Sequence, residues 1–107
     1  MSLFGACEGI LALTVLRSAR RLGSDLLANH KTVMSELVAR DKNRASVVMW
    51  SVANEPVSEV PEAEDYFHKV VQHTKDLDQT RPVTAVINAL VENDQASKAV
   101  DIVCLNR

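Results

Sequence analysis

"VVMWSVANEP", residues Val47 to Pro56, carries six apolar side chains in its first seven positions, with Ser51 the exception. It then turns to an amide, a carboxylate and an imino acid: Asn54, Glu55, Pro56. The apolar part lacks the alternation of a half-exposed strand, so it predicts a strand over 47–53 buried on both faces, as in a parallel sheet. The polar end admits two readings. A buried strand has to stop somewhere, and Asn-Glu-Pro stops it. Alternatively, Glu55 is held at the mouth of the strand to transfer protons.

The flanking sequence decides the class of fold. Upstream, Val33, Met34, Leu37 and Val38 recur at helical spacing, predicting a helix over 29–43 with Asn29 as its cap and Asn43 at its end. Downstream, Pro61 opens a second helix, where its missing N–H costs nothing. Glu62, Glu64 and Asp65 follow in its first turn, favouring the positive end of the helix dipole. Tyr66, Phe67, Val70, Val71, Thr74 and Leu77 form its apolar stripe. Tyr66 and Phe67 read as core packing, and His68 and His73 as solvated. "RPVTAVIN" supplies a second strand, residues 92–98 a short helix or turn, and "VDIVCLN" a third strand. The order α-β-α-β-(α)-β predicts an α/β fold with parallel strands and right-handed crossovers.

Composition removes several functions. The chain has 107 residues, enough for one domain. A net charge of −2 gives no reason to expect nucleic acid or an anionic membrane as partner. Gly5, Gly9 and Gly23 make no phosphate-binding pattern after a clear strand. His30, His68 and His73 fit no zinc spacing, and Cys7 and Cys104 form no Cys-x-x-Cys, so neither a metal nor another cofactor is expected. Cys104, inside an apolar run, reads as a small hydrophobe. Residues 1–16 are apolar, but Glu8 interrupts them and Arg17, Arg20 and Arg21 follow rather than precede, which makes a poor signal peptide and too short a membrane span.

The three predicted strands share one feature: they end in Asn54-Glu55, Asn88 and Asn106. In parallel α/β folds, sites form at the C-terminal ends of strands. Asn54 suits a ligand hydroxyl. A carboxyl such as Glu55, at the end of a dry strand, is where burial can favour the protonated form a general acid needs. Asn88 and Asn106 are candidate rim contacts. Glu59, Glu62, Glu64 and Asp65 read as helix-dipole or solvent-facing residues.

Four segments, "RDKN" (40–43), "VVMWSVANEP", "HTKDLDQTRPVT" (73–84) and "VDIVCLN" (100–106), together resemble the β-glucuronidases of glycoside hydrolase family 2. The resemblance runs from about 29 to 107, while residues 1–28 match poorly. It implies a (β/α)8 TIM barrel of which this chain supplies roughly helix 3 to strand 6, a partial catalytic domain. It also implies a retaining glycosidase working through a covalent glycosyl-enzyme. Within that resemblance Glu55 is the general acid/base and Asn54 contacts the sugar 2-hydroxyl. The nucleophilic Glu and the groups gripping the glucuronate carboxylate fall on later strands. The chain departs from the family at Arg44 and Ala45, where His-Pro is usual. A β-glucuronide or glycosaminoglycan-type carbohydrate, a homo-oligomeric parent enzyme and a lysosomal or secretory location are further implications. The alternative is a truncated, catalytically inactive β-glucuronidase-like protein with a binding role or no function.

Overall fold

The structure, a computed structural model, describes residues 23–88, 90 and 92–106. The readings of the N-terminal apolar run and Cys7 lie outside the described residues. Helix α1 (Ser24–Asp41) leads to strand β1 (Trp50–Asn54), helix α2 (Glu62–Leu77), strand β2 (Val83–Asn88), a 3-10 turn (Ala96–Lys98) and strand β3 (Ile102–Asn106). The strands lie in the order β1-β2-β3, and both pairings are parallel. The described strands form an open sheet rather than a closed one. Among the described helices, none is long and apolar enough to cross a membrane.

Helix α1 begins five residues earlier than its predicted cap. Gly23 is the N-cap, with extended backbone and no side-chain bond, and Asn29 sits exposed inside the helix. The end is nearer expectation: the Lys42 N–H closes on Val38 O at 2.9 Å. Met34, Leu37 and Val38 are buried, and His30 joins them one turn before Met34. Helix α2 follows its sequence signals closely. Pro61 is the N-cap, Asp78 the C-cap, and Ala63, Tyr66, Phe67, Val70, Val71 and Thr74 form the buried face. Tyr66 and Phe67 meet edge to face, with centroids 5.2 Å apart.

His73 is not simply solvated. It is half-buried, and its Nε2–H reaches Ser35 Oγ at 2.8 Å and Lys31 O at 3.1 Å, bridging the two helices. Strand β1 starts at Trp50 rather than Val47, with Val47 buried and Val48 exposed ahead of it. Trp50, Ser51, Val52 and Ala53 are all buried, so both faces of β1 are covered, as its unbroken apolar run requires. Strand β3 is different. Ile102, Val103 and Leu105 are exposed, and among the described residues no strand pairs with its outer edge. Cys104 carries a free thiol, half-buried, 3.4 Å from Thr84 Oγ1.

The N-terminal ends of the strands are tied together by charge. Arg81 donates from Nε to Val47 O at 2.8 Å, from Nη1 to Lys42 O and Asp78 Oδ2, both at 2.8 Å, and from Nη2 to Arg44 O at 3.0 Å. Its guanidinium lies 5.4 Å from the centre of the Trp50 ring, whose Nε1–H donates to the same Asp78 oxygen. One cation thus collects the loop before β1, the end of α2 and the start of β2. Asp101 does similar work before β3, accepting from Lys75 Nζ at 2.7 Å and from the Val83 N–H at 2.9 Å.

Candidate active site

The opposite rim carries the carboxylate. Register along β1 and β2 runs Trp50 to Val83 and Ser51 to Thr84, and then Asn54 stands opposite Val86. From Ser51 to Asn54 is three residues; from Thr84 to Val86 is two. β1 therefore holds one extra residue, a bulge, which bends the strand and re-aims whatever follows it. Glu55 follows directly, with φ of 47°. That left-handed backbone costs a side-chain-bearing residue about 1–3 kcal/mol and persists only where the surroundings fix it. Asn93, at 59°, is the other described non-glycine residue with positive φ, and it is a type that tolerates the region.

Among the described residues, a backbone and a side-chain contact hold Glu55 there. Its N–H donates to Val86 O at 2.7 Å, extending the β1–β2 ladder past the bulge. Its Oε1 accepts from Asn106 Nδ2 at 3.2 Å. Asn54 closes β1 next to it, half-buried, and Pro56 behind it is buried. Asn88 and Asn106 face each other across the β2–β3 pairing, but their side chains part ways. Asn106 goes to Glu55, whereas Asn88 Oδ1 accepts from the Leu90 N–H at 2.9 Å and shapes the turn after β2.

The rim so assembled offers a carboxylate flanked by amides. That set can bond hydroxyls and move a proton. It holds no cation cluster: among the described residues no group of three or more His, Cys, Asp or Glu could bind a metal. The neighbouring acids serve the backbone. Glu59 accepts from the Ser58 N–H at 3.0 Å, and Glu62, Glu64 and Asp65 occupy the first turn of α2. Two open clefts lie at the other end of the strands, lined by Arg81, Thr80 and Gln79 together with Lys75 and Asp101 or Lys42 and Asp76. The Lys75–Asp101 and Arg81–Asp78 ion pairs line that end.

His30 is the participant that sequence reasoning missed. It is buried on α1, 36 residues from Tyr66 and 22 from Val52, and it touches both. Val52 O can only accept, so Nε2 carries the hydrogen of that 2.9 Å contact. Nδ1 is then the acceptor for the Tyr66 hydroxyl, also at 2.9 Å. Burial pushes the imidazole pKa down to about 4, against the opposing pull of the Val52 carbonyl, so the ring is neutral at ordinary pH. Burial likewise pushes the Tyr66 phenol above its usual value. The available signal was position: His30 precedes Met34 by one turn, on the apolar stripe, where an ionisable ring needs partners.

Comparison with known proteins agrees with this architecture. The family model for glycosyl hydrolases family 2, TIM barrel domain, matches residues 6–107. The β-glucuronidase of Rattus norvegicus is 52% identical over 84 residues, which is 78% of this chain and 13% of that protein. The structure of the β-D-glucuronidase of Dictyoglomus thermophilum superposes with a TM-score of 0.77 at 44% identity, covering 86% of this chain and 16% of that one. The β-glucuronidase of Ruminococcus gnavus, solved in complex with D-glucuronic acid, gives 0.71 at 35% identity over 78% of this chain and 15% of its own. The relatives thus match 78–86% of this chain, which spans only 13–16% of each of them. With its parallel strands, bulged β1 and carboxylate rim, the chain belongs to the glycosyl hydrolases of family 2 and carries part of their TIM-barrel domain.

Proposed function

We propose that this chain supplies the acid/base half of the active site of a retaining glycoside hydrolase acting on β-D-glucuronides. Glu55 is the general acid/base and Asn54 the contact to the sugar 2-hydroxyl, with Asn106 holding the Glu55 carboxyl. The observation that carries the reading is the placement of Glu55: left-handed backbone after a bulge, at the C-terminal rim, with its carboxyl tethered by Asn106. The glucuronidase relatives, one of them bound to D-glucuronic acid, support the choice of sugar.

Retaining hydrolysis takes two carboxyl groups roughly 5–5.5 Å apart, on opposite sides of the glycosidic bond. One attacks the anomeric carbon while the other protonates the departing oxygen. The second then takes a proton from water, which displaces the sugar from the first. Glu55 fills the second role in both steps, and the nucleophile comes from a later strand of the barrel. A glycosaminoglycan-type substrate, a homo-oligomeric whole enzyme and a lysosomal or secretory location belong to the same proposal.

The test is a hybrid barrel in which this chain replaces the segment it matches in the Dictyoglomus thermophilum enzyme. Glu55→Gln keeps the shape of the side chain but cannot give and recover a proton. Turnover of aryl glucuronides with weakly acidic leaving groups should fall by about 10²–10⁴-fold. Glycosylation with very acidic leaving groups should suffer far less. Equal losses across the series in that step would refute the acid role.

A further inference from the structure

We propose that His30 and Tyr66 are positioning residues that set the β1 bulge and, through it, the direction of the Glu55 carboxyl; the proposal rests on the acid/base reading of Glu55. The bulge lies between Ser51 and Asn54, and Val52, inside it, has its carbonyl taken by His30 Nε2–H. A bulge interrupts the regular ladder, so the strand there depends on other groups to fix it. His30 supplies one such group from α1. Tyr66 in turn donates from α2 to Nδ1, which leaves the hydrogen on Nε2, where Val52 O needs it. The two rings lie 5.7 Å apart, tilted by 39°. His30 and Tyr66 are 4% exposed each, so water does not compete for these bonds.

The chain of restraint is short. His30 fixes Val52 from the helix side. Three residues on, Val86 O fixes the Glu55 N–H from the sheet side, and Asn106 fixes the carboxyl. Left-handed backbone at Glu55 needs this kind of restraint on both flanks. If the Val52 carbonyl is released, the bulge can shift along β1, and the carboxyl moves relative to the glycosidic oxygen. A displacement near 1 Å can cost about 10²-fold.

Loss of general acid assistance is felt by poor leaving groups and hardly by good ones, whereas loss of folded protein is felt equally by both. In the hybrid barrel, His30→Phe and Tyr66→Phe should lower kcat/KM by about ten- to a hundredfold for a weakly acidic aryl glucuronide. For a strongly acidic one the loss should stay within about threefold. Gln at position 30 places an amide N–H near the site of Nε2, so His30→Gln should recover most of the loss. Tyr66→Phe removes a single oxygen and keeps the packed ring, so it carries the test even where His30→Phe fails to fold. Equal losses for both leaving groups, or no loss, in a protein with an intact thermal transition would overturn the proposal. Glu55→Gln, run in parallel, separates the two claims. Should it lose its own leaving-group dependence, the acid assignment fails; should it keep that dependence while Tyr66→Phe shows none, only the positioning role fails.

Discussion

The Asn106 side-chain amide donates to Glu55 Oε1 at 3.2 Å and thereby joins the ends of β1 and β3 across β2, the strand between them. Sequence places these residues 51 positions apart, and the parallel register brings them to one rim. Asn106→Ala should therefore leave the fold intact, since the residue is exposed, yet loosen the acid. In the hybrid barrel we expect a loss of about three- to tenfold in kcat, in line with the net worth of one ordinary hydrogen bond. Steady-state kinetics with a weakly acidic aryl glucuronide, beside a thermal melt, checks both halves.

Backbone strain at Glu55 gives a prediction of opposite sign for stability. Glycine adopts φ of 47° without the clash that any Cβ suffers. Glu55→Gly should be more stable than Glu55→Ala by about 1 kcal/mol, although both abolish the proton transfer. Urea unfolding of the two variants measures the difference directly. Equal midpoints would mean that the left-handed geometry is not populated in solution.

At the other end of the barrel, Arg81 should matter for stability and little for chemistry. It serves three backbone carbonyls and Asp78 at once, with its side chain only 16% exposed. Arg81→Met should cost about 3–5 kcal/mol, because Asp78 stays buried without its cation. Arg81→Lys should recover only part of this, since an ammonium cannot span the same fork of acceptors. Denaturant melts of both variants test the order.

Stability should fall in acid in two stages. His30 has its folded pKa depressed to about 4 from 6.5. The unfolded chain therefore binds a proton first as pH drops. The contribution is complete above about 6.5, is lost between there and about 4, and amounts to something on the order of 3 kcal/mol. Asp78 follows. Burial alone would raise its pKa, but bonds from Thr80, Arg81 and Trp50 outweigh that and hold it well below the usual carboxylate range. Its contribution is present above the ordinary Asp pKa and is lost as pH falls below it. His30→Gln should flatten the first stage and leave the second. Unfolding midpoints from about pH 8 down to about pH 2 distinguish them.

The same elements show what sequence could and could not reveal. Pro61, the acidic first turn and the stripe from Tyr66 to Thr74 all pointed to α2, and each signal is local, so the helix was legible. The start of α1 was not. Gly23 caps it without a side chain, while Asn29, a good cap by type, lies exposed one turn inside. Apolar content marked β1, but burial and pairing are different properties, so the buried lead-in at Val47 passed for strand. Glu55 was legible as a strand-end acid; the bulge that aims it is a mismatch between two strands and has no signature in either alone. The His30 brace was hidden for the same reason, its partners lying on two other elements.

The 107-residue chain studied by itself should hydrolyse no aryl β-glucuronide above background. Glu55 can provide one of the two required carboxyl groups. Ile102, Val103 and Leu105 on β3, whose outer edge no other described strand pairs, should also promote self-association. Sedimentation velocity and a fluorogenic assay, with Glu55→Gln as the control, test both expectations. Turnover abolished by that substitution would show that a second carboxyl lies within the chain.

The role of Glu55 is tested most directly by the configuration of a trapped product. In the hybrid barrel, Glu55→Ala should leave the nucleophile able to form the glycosyl-enzyme from a substrate with a strongly acidic leaving group. Added azide needs no general base, so it should attack that intermediate and restore turnover. Two successive inversions at the anomeric carbon then give the β-glucuronyl azide, identifiable by NMR. An α-azide would mean that Glu55 is the nucleophile instead. Absence of any azide product would contradict the acid/base assignment altogether.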